Sequence, residues 1–331
     1  MIYNVFIEVP LNKRKTYLMK KDNFSKNIER FLTGDHDVVT FHHDTSDGFL
    51  NLTAYYILPG IYLVLNDIHT QMVPSNRNTM PQDILLINYC RQGRCEFQIN
   101  NDNYSYIDTR LMNISSQMVQ DYFYYPSSYY EGYEIYVMAD MFQDETKKVL
   151  NLFQINPEDL IRLYRSGAVF YTPDPVLRLW NHITEHCASN NIGQLRLDTL
   201  QLLKYFQDHK PEDASNTLYL SKVQVILAKK VQNLLTQDLS QHLSMRSVSE
   251  ILGVSETSLK RYFYSVFGVN VSTYMNEMRM KKATELLVSS EMSISDIAKT
   301  CGYVNQGRFA SVFRSYYGMK PLDYRRNSRF S

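Results

Sequence analysis

The chain has 331 residues, of which 44% are hydrophobic and 21% are charged, so it is long enough for two domains and apolar enough to bury a core. This composition excludes wholesale disorder, a collagen-like chain and a small disulfide scaffold. The formal net charge of +1 argues against a nucleic-acid-binding protein, since such proteins carry a basic excess. That exclusion depends on an even distribution of charge along the chain.

Residues 1–15 lack the basic stretch followed by an apolar stretch that marks a secretory signal. No apolar run approaches the roughly 18–20 residues that a membrane-spanning helix needs. We therefore expect a cytoplasmic protein with no membrane partner.

Four cysteines are candidates for disulfides or metal binding: Cys90, Cys95, Cys187 and Cys301. In a cytoplasmic chain we expect them to be reduced, with the first two facing each other across a hairpin. No His or Cys pair has the spacing of a zinc site, and adjacent His42 and His43 would point to opposite faces of a strand. We expect neither a metal nor a cofactor.

Residues 1–140 are predicted to form a β-rich domain. Short runs rich in Ile, Leu and Tyr predict strands at 61–66, 84–90, 95–99, 104–107 and 112–115. Gln92 and Gly93, and then residues 100–103, predict hairpin turns between three of these strands. Short antiparallel strands at this spacing are typical of a barrel or a sandwich.

Residues 119–136 hold seven of the 26 tyrosines of the chain. The cluster could line a pocket for an apolar or aromatic ligand. Alternatively, these tyrosines cover the edge of a core as good strand residues, which is the interpretation that we favour. No effector-binding residue is assigned on this basis. The chain has no nucleophile elbow, no phosphate-binding glycine-rich loop and no catalytic carboxylate pair, so we predict no catalytic residues and no enzyme.

Residues 141–210 show helical periodicity at 144–155, 174–189 and 194–208, with Leu197, Leu200, Leu203 and Phe206 as the apolar positions of the last segment. Pro157 and Pro175 are suited to helix starts. Residues 211–218, within the polar stretch HKPEDASNT, are predicted to be a linker. It separates residues 1–218, with 19 basic and 26 acidic residues, from residues 219–331, with 16 basic and 8 acidic residues. The net charges are −7 and +8, so the near-neutral total conceals a basic domain.

The basic domain contains an internal repeat, residues 245–268 and 294–318, in which apolar positions and glycines match at an offset of 49 or 50. Each copy predicts a short helix (247–252; 295–300), a turn at Gly253 or Gly302, and a second helix capped by Ser255 or Asn305. This is the pattern of a helix-turn-helix unit, whose second helix enters the major groove of DNA.

The second helix of each copy presents one apolar and one polar face. The residues predicted to point inward are Leu259, Tyr262, Phe263 and Phe267 in copy one, and Phe309, Val312, Phe313 and Tyr316 in copy two. The residues predicted to point outward are Thr257, Ser258, Lys260 and Arg261, and then Gln306, Arg308, Ser311 and Arg314. Residues 271–290 predict a connecting helix of about 30 Å, close to the ~34 Å between successive major grooves on one face of DNA.

The sequence GVSETSLKRYF, the spacing from Tyr274 to Leu287, the sequence ISDIAKTCGY and the final F-x3-F-x4-G resemble the AraC-type (arabinose-operon regulator) family of transcription regulators. The resemblance implies that Thr257, Lys260 and Arg261 contact DNA from the first unit. It implies the same for Asn305, Gln306, Gly307, Arg308 and Ser311 in the second. Gly307 and Ala310 are small for this family, so the second unit is expected to bind mostly phosphates through Arg308 and Arg314.

The resemblance also implies an α+β chain: a cupin-like effector-sensing barrel, a helical dimerisation layer and an all-α DNA-binding domain with two helix-turn-helix units joined by a long helix. The implied partners are promoter DNA, a small-molecule effector and a second copy of the chain. RNA polymerase is a further candidate. The candidate dimer surface, residues 176–186 with 194–207, is equally compatible with helices that pack on the barrel. Two other classes stay open: a constitutive regulator whose β domain serves protein contacts, and a DNA-repair enzyme with a helix-turn-helix tail.

Overall fold

The computed structural model describes residues 14–18, 37–74, 84–99, 102–116, 121–210 and 219–329. The predicted linker, 211–218, lies outside these ranges. The chain divides into two compact units, Met1–Leu220 and Ser221–Ser331, which are called unit one and unit two below.

Unit one is rich in β-structure, and its strands alternate between two sheets. In chain order the strands are β1 (Arg14–Leu18), β2 (Val38–Asp44), β3 (Phe49–Leu58), β4 (Ile61–His69), β5 (Met72–Pro74), β6 (Ile84–Gly93), β7 (Cys95–Gln98), β8 (Asn103–Ile107), β9 (Leu111–Ser115), β10 (Tyr122–Tyr124), β11 (Tyr130–Met138) and β12 (Ala168–Tyr171). A two-residue strand, β13 (Leu220–Ser221), lies at the boundary between the units.

The first sheet has the order β1-β2-β3-β4-β11-β6-β9-β12, and the second contains β8-β7-β10-β5. Apart from the parallel pair β1 and β2, the pairs are antiparallel. Within the described ranges neither sheet closes on itself, so this part of the chain forms two open sheets and no closed barrel. The β-rich prediction for residues 1–140 is confirmed at that coarser level.

One predicted hairpin is wrong. β6 pairs with β11 and β9 in the first sheet, whereas β7 pairs with β8 and β10 in the second. Gly93 has a φ of +85°, and here the chain leaves one sheet for the other instead of folding back on itself. Cys90 and Cys95 therefore do not face each other across paired strands. The next hairpin is confirmed, because Cys95–Gln98 pairs with residues 104–107.

Among the described residues, four α-helices cover the face of the first sheet that carries Tyr89 and Tyr133. After a 3-10 turn at Ala139–Met141 they are α1 (Asp144–Leu152), α2 (Pro157–Leu163), α3 (Asp174–Ser189) and α4 (Ile192–Asp208). Trp180 of α3 is fully buried and stacks on Tyr89 and Tyr133, with ring centres 5.0 and 5.9 Å away. The three predicted helical segments are confirmed, but Leu197 is 45% exposed while Leu195 and Leu202 are buried in its place.

Unit two is helical. Its helices are α5 (Lys222–Thr236), α6 (Met245–Leu252), α7 (Glu256–Phe267), α8 (Val271–Ser289), α9 (Ile294–Thr300), α10 (Gln306–Tyr317) and α11 (Pro321–Arg329). The apolar sides of α8, α9 and α10 enclose one core that includes Ala283, Leu287, Phe309 and Phe313. In the part of the chain that the structure describes, no helix is both long and apolar enough to cross a bilayer.

Candidate nucleic-acid interface

The first helix-turn-helix unit consists of α6 and α7. Ser244 caps α6 by accepting a hydrogen bond from the amide of Ser247 at 3.1 Å, and Ser255 caps α7 through the amide of Ser258 at 3.2 Å. Between the helices Gly253 has a φ of +65°, which favours glycine. The hydroxyl of Ser249 donates to the carbonyl oxygen of Val254 at 2.8 Å and fixes the turn. The predicted turn and cap are confirmed.

The polar face of α7 is accessible. Thr257, Lys260 and Arg261 are exposed, and Ser258 is half-buried. The ammonium group of Lys260 pairs with Glu256 one turn earlier, and the guanidinium of Arg261 lies 5.3 Å from the ring centre of Tyr262. On the opposite side Leu259, Phe263 and Phe267 are buried as predicted, together with Val266, while Tyr262 is half-buried.

The second helix-turn-helix unit, which consists of α9 and α10, repeats this geometry. Ser293 caps α9 through the amide of Asp296 at 3.1 Å, and Asn305 caps α10 through the amide of Arg308 at 3.0 Å. Gly302 has a φ of +78°. Phe309 and Phe313 are fully buried.

In the second helix-turn-helix unit, the prediction of one inward-pointing residue is wrong. Tyr316 is 42% exposed, and Tyr317 packs on the core in its place. Residues 316 and 317 differ by about 100° around the helix, so the apolar face is rotated by one residue from the predicted one.

The polar face of α10 is more open than that of α7. All of its predicted DNA contacts are exposed: Asn305, Gln306, Gly307, Arg308, Ser311 and Arg314. Asn305 uses its side-chain oxygen for the cap, which leaves the amide nitrogen for a ligand. Among the ion pairs of the described residues none involves Arg308 or Arg314, so both cations can neutralise an incoming phosphate.

α8 connects the two helix-turn-helix units of unit two as a 19-residue helix, which corresponds to about 28 Å. Its Arg279 is 7% exposed and donates from Nε to the carbonyl oxygen of Leu239 at 3.2 Å. The same guanidinium lies 3.1 Å from Nδ1 of His242, whose Nε2 lies 2.8 Å from the carbonyl oxygen of Gly302. Because Arg279 can only donate, Nδ1 accepts and Nε2 carries the proton. These linked hydrogen bonds join the segment before α6 to the turn of the second helix-turn-helix unit and set the orientation of one relative to the other.

Unit one contains a polar layer on the face of its first sheet opposite the helices. Glu134, Asn88 and Asn113 are cross-strand neighbours in β11, β6 and β9. Asn88 is fully buried, and among the described residues neither atom of its amide has a hydrogen-bond partner. Glu134 accepts from the hydroxyl of Tyr136 at 2.5 Å, and burial raises the pKa of its carboxyl above the ordinary value. Sequence patterns gave no signal for this layer.

The four cysteines are free and buried. Burial raises the pKa of each thiol, to about 11 for Cys301 and about 12 for Cys187, and further for Cys90 and Cys95. Such thiols are poor nucleophiles and poor metal ligands. In the described part of the chain no group of three or more His, Cys, Asp or Glu side chains could hold a metal ion.

Residues 248–327 match the family model of a helix-turn-helix domain. Over 95 residues the chain is 36% identical to the HTH-type transcriptional activator RhaR of Yersinia pseudotuberculosis, a match that covers 29% of this chain and 33% of that protein. It is 24% identical over 151 residues to the probable transcriptional regulator LumQ of Photobacterium leiognathi, covering 44% and 56% of the two chains. The chain thus spans about a third of the length of the RhaR proteins that it matches.

Among solved structures, the C-terminal domain of AraT, a response regulator from Geobacillus stearothermophilus, is 33% identical, with a TM-score of 0.30 over 30% of this chain and 84% of that one. The curated relatives carry the names of transcription regulators and not of enzymes.

Proposed function

Residues 248–327 of this chain form an AraC-type helix-turn-helix domain, and from that premise we propose that the protein is a sequence-specific, DNA-binding transcription regulator. One observation carries the proposal: two capped helices, α7 and α10, present exposed cationic faces at the two ends of one rigid helix. Lys260 and Arg261 supply the cations of the first, and Arg308 and Arg314 those of the second. Two such helices fit successive major grooves of one duplex.

The two helices have different roles in this proposal. α7 reads bases, because Thr257, Lys260 and Arg261 offer donors and acceptors of several kinds on one exposed face. α10 has Gly307 and Ala310 where longer side chains would be needed to reach bases, so Arg308 and Arg314 mainly bind phosphates.

Selection of bound sequences from a pool of random duplexes by the full chain tests the proposal. We expect one recurring base sequence in the major groove that α7 would occupy. A weaker sequence preference should lie about one helical turn of DNA away, in the groove that α10 would occupy. Recovery of unenriched sequence would contradict a sequence-specific regulator. The number and spacing of recovered half-sites also measures whether a second copy of the chain takes part.

In the same proposal, residues 1–140 form a cupin-like sensor domain, 141–210 a helical dimerisation segment and 211–218 a linker to the DNA-binding domain. The effector is a small molecule with hydrogen-bonding groups, bound in the polar layer of unit one. Support comes from Asn88, because a buried amide without partners costs free energy that a ligand would recover. Homodimerisation would use the exposed sides of α3 and α4, where Leu197 is accessible. The cytoplasm is the proposed location, and RNA polymerase a candidate partner.

Replacement of Asn88 by Leu tests the effector site. The variant replaces the unpaired amide by an apolar group of the same branched shape, so we expect the ligand-free protein to melt at a higher temperature. We also expect the variant to lose the thermal shift that an effector identified by ligand screening gives the wild-type chain. Asn151→Leu, at an exposed position of α1 in unit one, is the matched control. An effector that protects Asn88→Leu as well as it protects the wild type would exclude this site, and failure of every ligand to shift melting would favour the constitutive regulator.

A further inference from the structure

Unit two contains a cavity of about 630 Å³ between its two helix-turn-helix units, which we call the interhelix cavity. Lys260 of α7 and Arg308 of α10 both line it. Two predicted DNA contacts from different copies of the repeat therefore face one space. Its inner wall comes largely from α8 and includes Ser272, Asn276 and Arg279.

The lining of the interhelix cavity is positively charged. Lys260, Arg279 and Arg308 contribute three cations, of which Lys260 pairs with Glu256 one turn earlier, and the described residues that line the cavity include no Asp or Glu. The partners of Arg279 are carbonyl oxygens and the neutral nitrogen of His242, so these contacts do not cancel its charge. Cations in a concave, partly buried wall attract anions more strongly than the same cations on a flat surface.

The wall also supplies neutral hydrogen-bond donors. Ser272 is exposed in the first turn of α8, and Asn276 is half-buried one turn later on the same side of the helix. Hydroxyl and amide groups of this kind, placed beside Arg and Lys, are the usual donors to phosphate oxygens at protein–DNA interfaces.

The position of the cavity indicates which phosphate it would meet. If α7 and α10 occupy successive major grooves, the strand between those grooves passes the side of α8 that joins them. We propose that the interhelix cavity binds a backbone phosphate of this intervening strand, held by Asn276, Ser272 and the charge of Arg279. This inference rests on the proposed function, because it assumes duplex binding, and it adds the connecting helix to the DNA-binding surface.

Asn276→Asp tests the inference, because it places a negative charge where the phosphate would lie while keeping the size of the side chain. We expect the full chain to lose about tenfold or more in affinity, equally for a selected duplex and for a duplex of mixed sequence, because a phosphate contact carries no sequence information. The slope of log K against log salt should fall by about 0.9. Asn233→Asp, at an exposed position of α5 outside the cavity, is the matched control.

Ethylation interference on the selected duplex locates the contact. With the wild-type chain, ethylation of phosphates between the two major grooves should block binding, and this interference should disappear with Asn276→Asp. Ser272→Asp is a second variant in case Asn276→Asp does not fold, since an acidic residue is favourable in the first turn of a helix.

The outcomes separate the two levels of the proposal. A wild-type chain that binds no duplex would overturn the proposed function. A wild-type chain that binds, with Asn276→Asp equal to Asn233→Asp and no interference between the grooves, would overturn the cavity contact alone. If inorganic phosphate raises the melting temperature of the wild type but not of Asn276→Asp, while duplex affinities stay equal, the cavity binds free phosphate and the DNA contact is wrong.

Discussion

At the scale of single residues, buried polar groups organise both units. Arg279 and His242 connect segments about 40 and 60 residues apart through carbonyl oxygens of Leu239 and Gly302. Removing the guanidinium would remove three hydrogen bonds at once, to the carbonyl oxygens of Leu239 and Gln241 and to Nδ1 of His242, which is more costly than loss of one exposed hydrogen bond. Arg279 lies within the family pattern from Tyr274 to Leu287, but its partners are two backbone carbonyl oxygens and Nδ1 of His242, and no residue pattern identifies those.

Glu134 gives a prediction for pH dependence. Burial raises the pKa of its carboxyl, so the folded chain keeps the proton at pH values where the unfolded chain has released it. Unfolding then releases protons, and the free energy of unfolding of unit one falls as pH rises from about 4.3 through the folded pKa. Glu134→Gln cannot titrate and should gain stability relative to the wild type over this range.

The measurement is urea unfolding at several pH values, followed by fluorescence of Trp180, the single tryptophan, which reports unit one. Glu185→Gln, an exposed position in the same unit, is the control and should show no such gain. A stability difference between Glu134→Gln and wild type that is independent of pH would show that the carboxyl does not titrate abnormally.

At the scale of elements, the two copies of the helix-turn-helix repeat differ in how tightly their turns are packed. A Cβ atom on Gly253 would meet nothing within 4 Å, whereas one on Gly302 would lie 2.4 Å from the carbonyl oxygen of Leu239. Both glycines have positive φ, so both positions disfavour other residues. Only Gly302 also has to allow a close approach of the backbone.

Gly253→Ala and Gly302→Ala form a matched pair that tests this difference. Gly253→Ala should cost about 1 kcal/mol from backbone strain alone. Gly302→Ala should cost about 1–3 kcal/mol more, because Leu239 or the Arg279 side chain must move. Thermal unfolding followed by helical circular dichroism measures both, with Trp180 fluorescence as the control for unit one. Equal losses of unfolding free energy in the two variants would mean that packing does not constrain the turn of the second helix-turn-helix unit.

Local patterns are sufficient to predict the two helix-turn-helix units but not the sheets, and they do not predict α5 or α11. The caps Ser255 and Asn305 and the turns at Gly253 and Gly302 are fixed by contacts within a few residues, so they were correctly predicted. β6 and β7 belong to different sheets, because the chain crosses from one sheet to the other at Gly93. Some of the strands with which they pair are far away in sequence, so a local pattern does not identify these pairs. Asn88 was missed for the same reason, because its position between Glu134 and Asn113 is set by strand order.

At the scale of the whole molecule, the two halves of the chain carry opposite charges, which bears on the proposed binding to DNA. Residues 219–331 carry +8 and residues 1–218 carry −7, which together give the near-neutral total. Under the proposed function, the basic half attracts and neutralises phosphates, and the acidic half opposes non-specific binding of the whole chain. Specific binding then depends on the few cations that the fold directs towards the duplex.

Lys260 and Arg261 of α7 are the cations on which the account depends most. The decisive measurement is the affinity of the full chain for its selected duplex as salt is raised, compared between wild type and Lys260→Ala with Arg261→Ala. We predict that the double variant loses at least tenfold in affinity. Its salt slope should fall by at most about 1.8, because each phosphate neutralised contributes about 0.9 and a cation that reads a base edge in the groove also lies near the groove phosphates. Lys229→Ala with Lys230→Ala, an adjacent pair on α5, should change both quantities less. Unchanged affinity and slope in the Lys260 and Arg261 variant would show that α7 does not contact DNA.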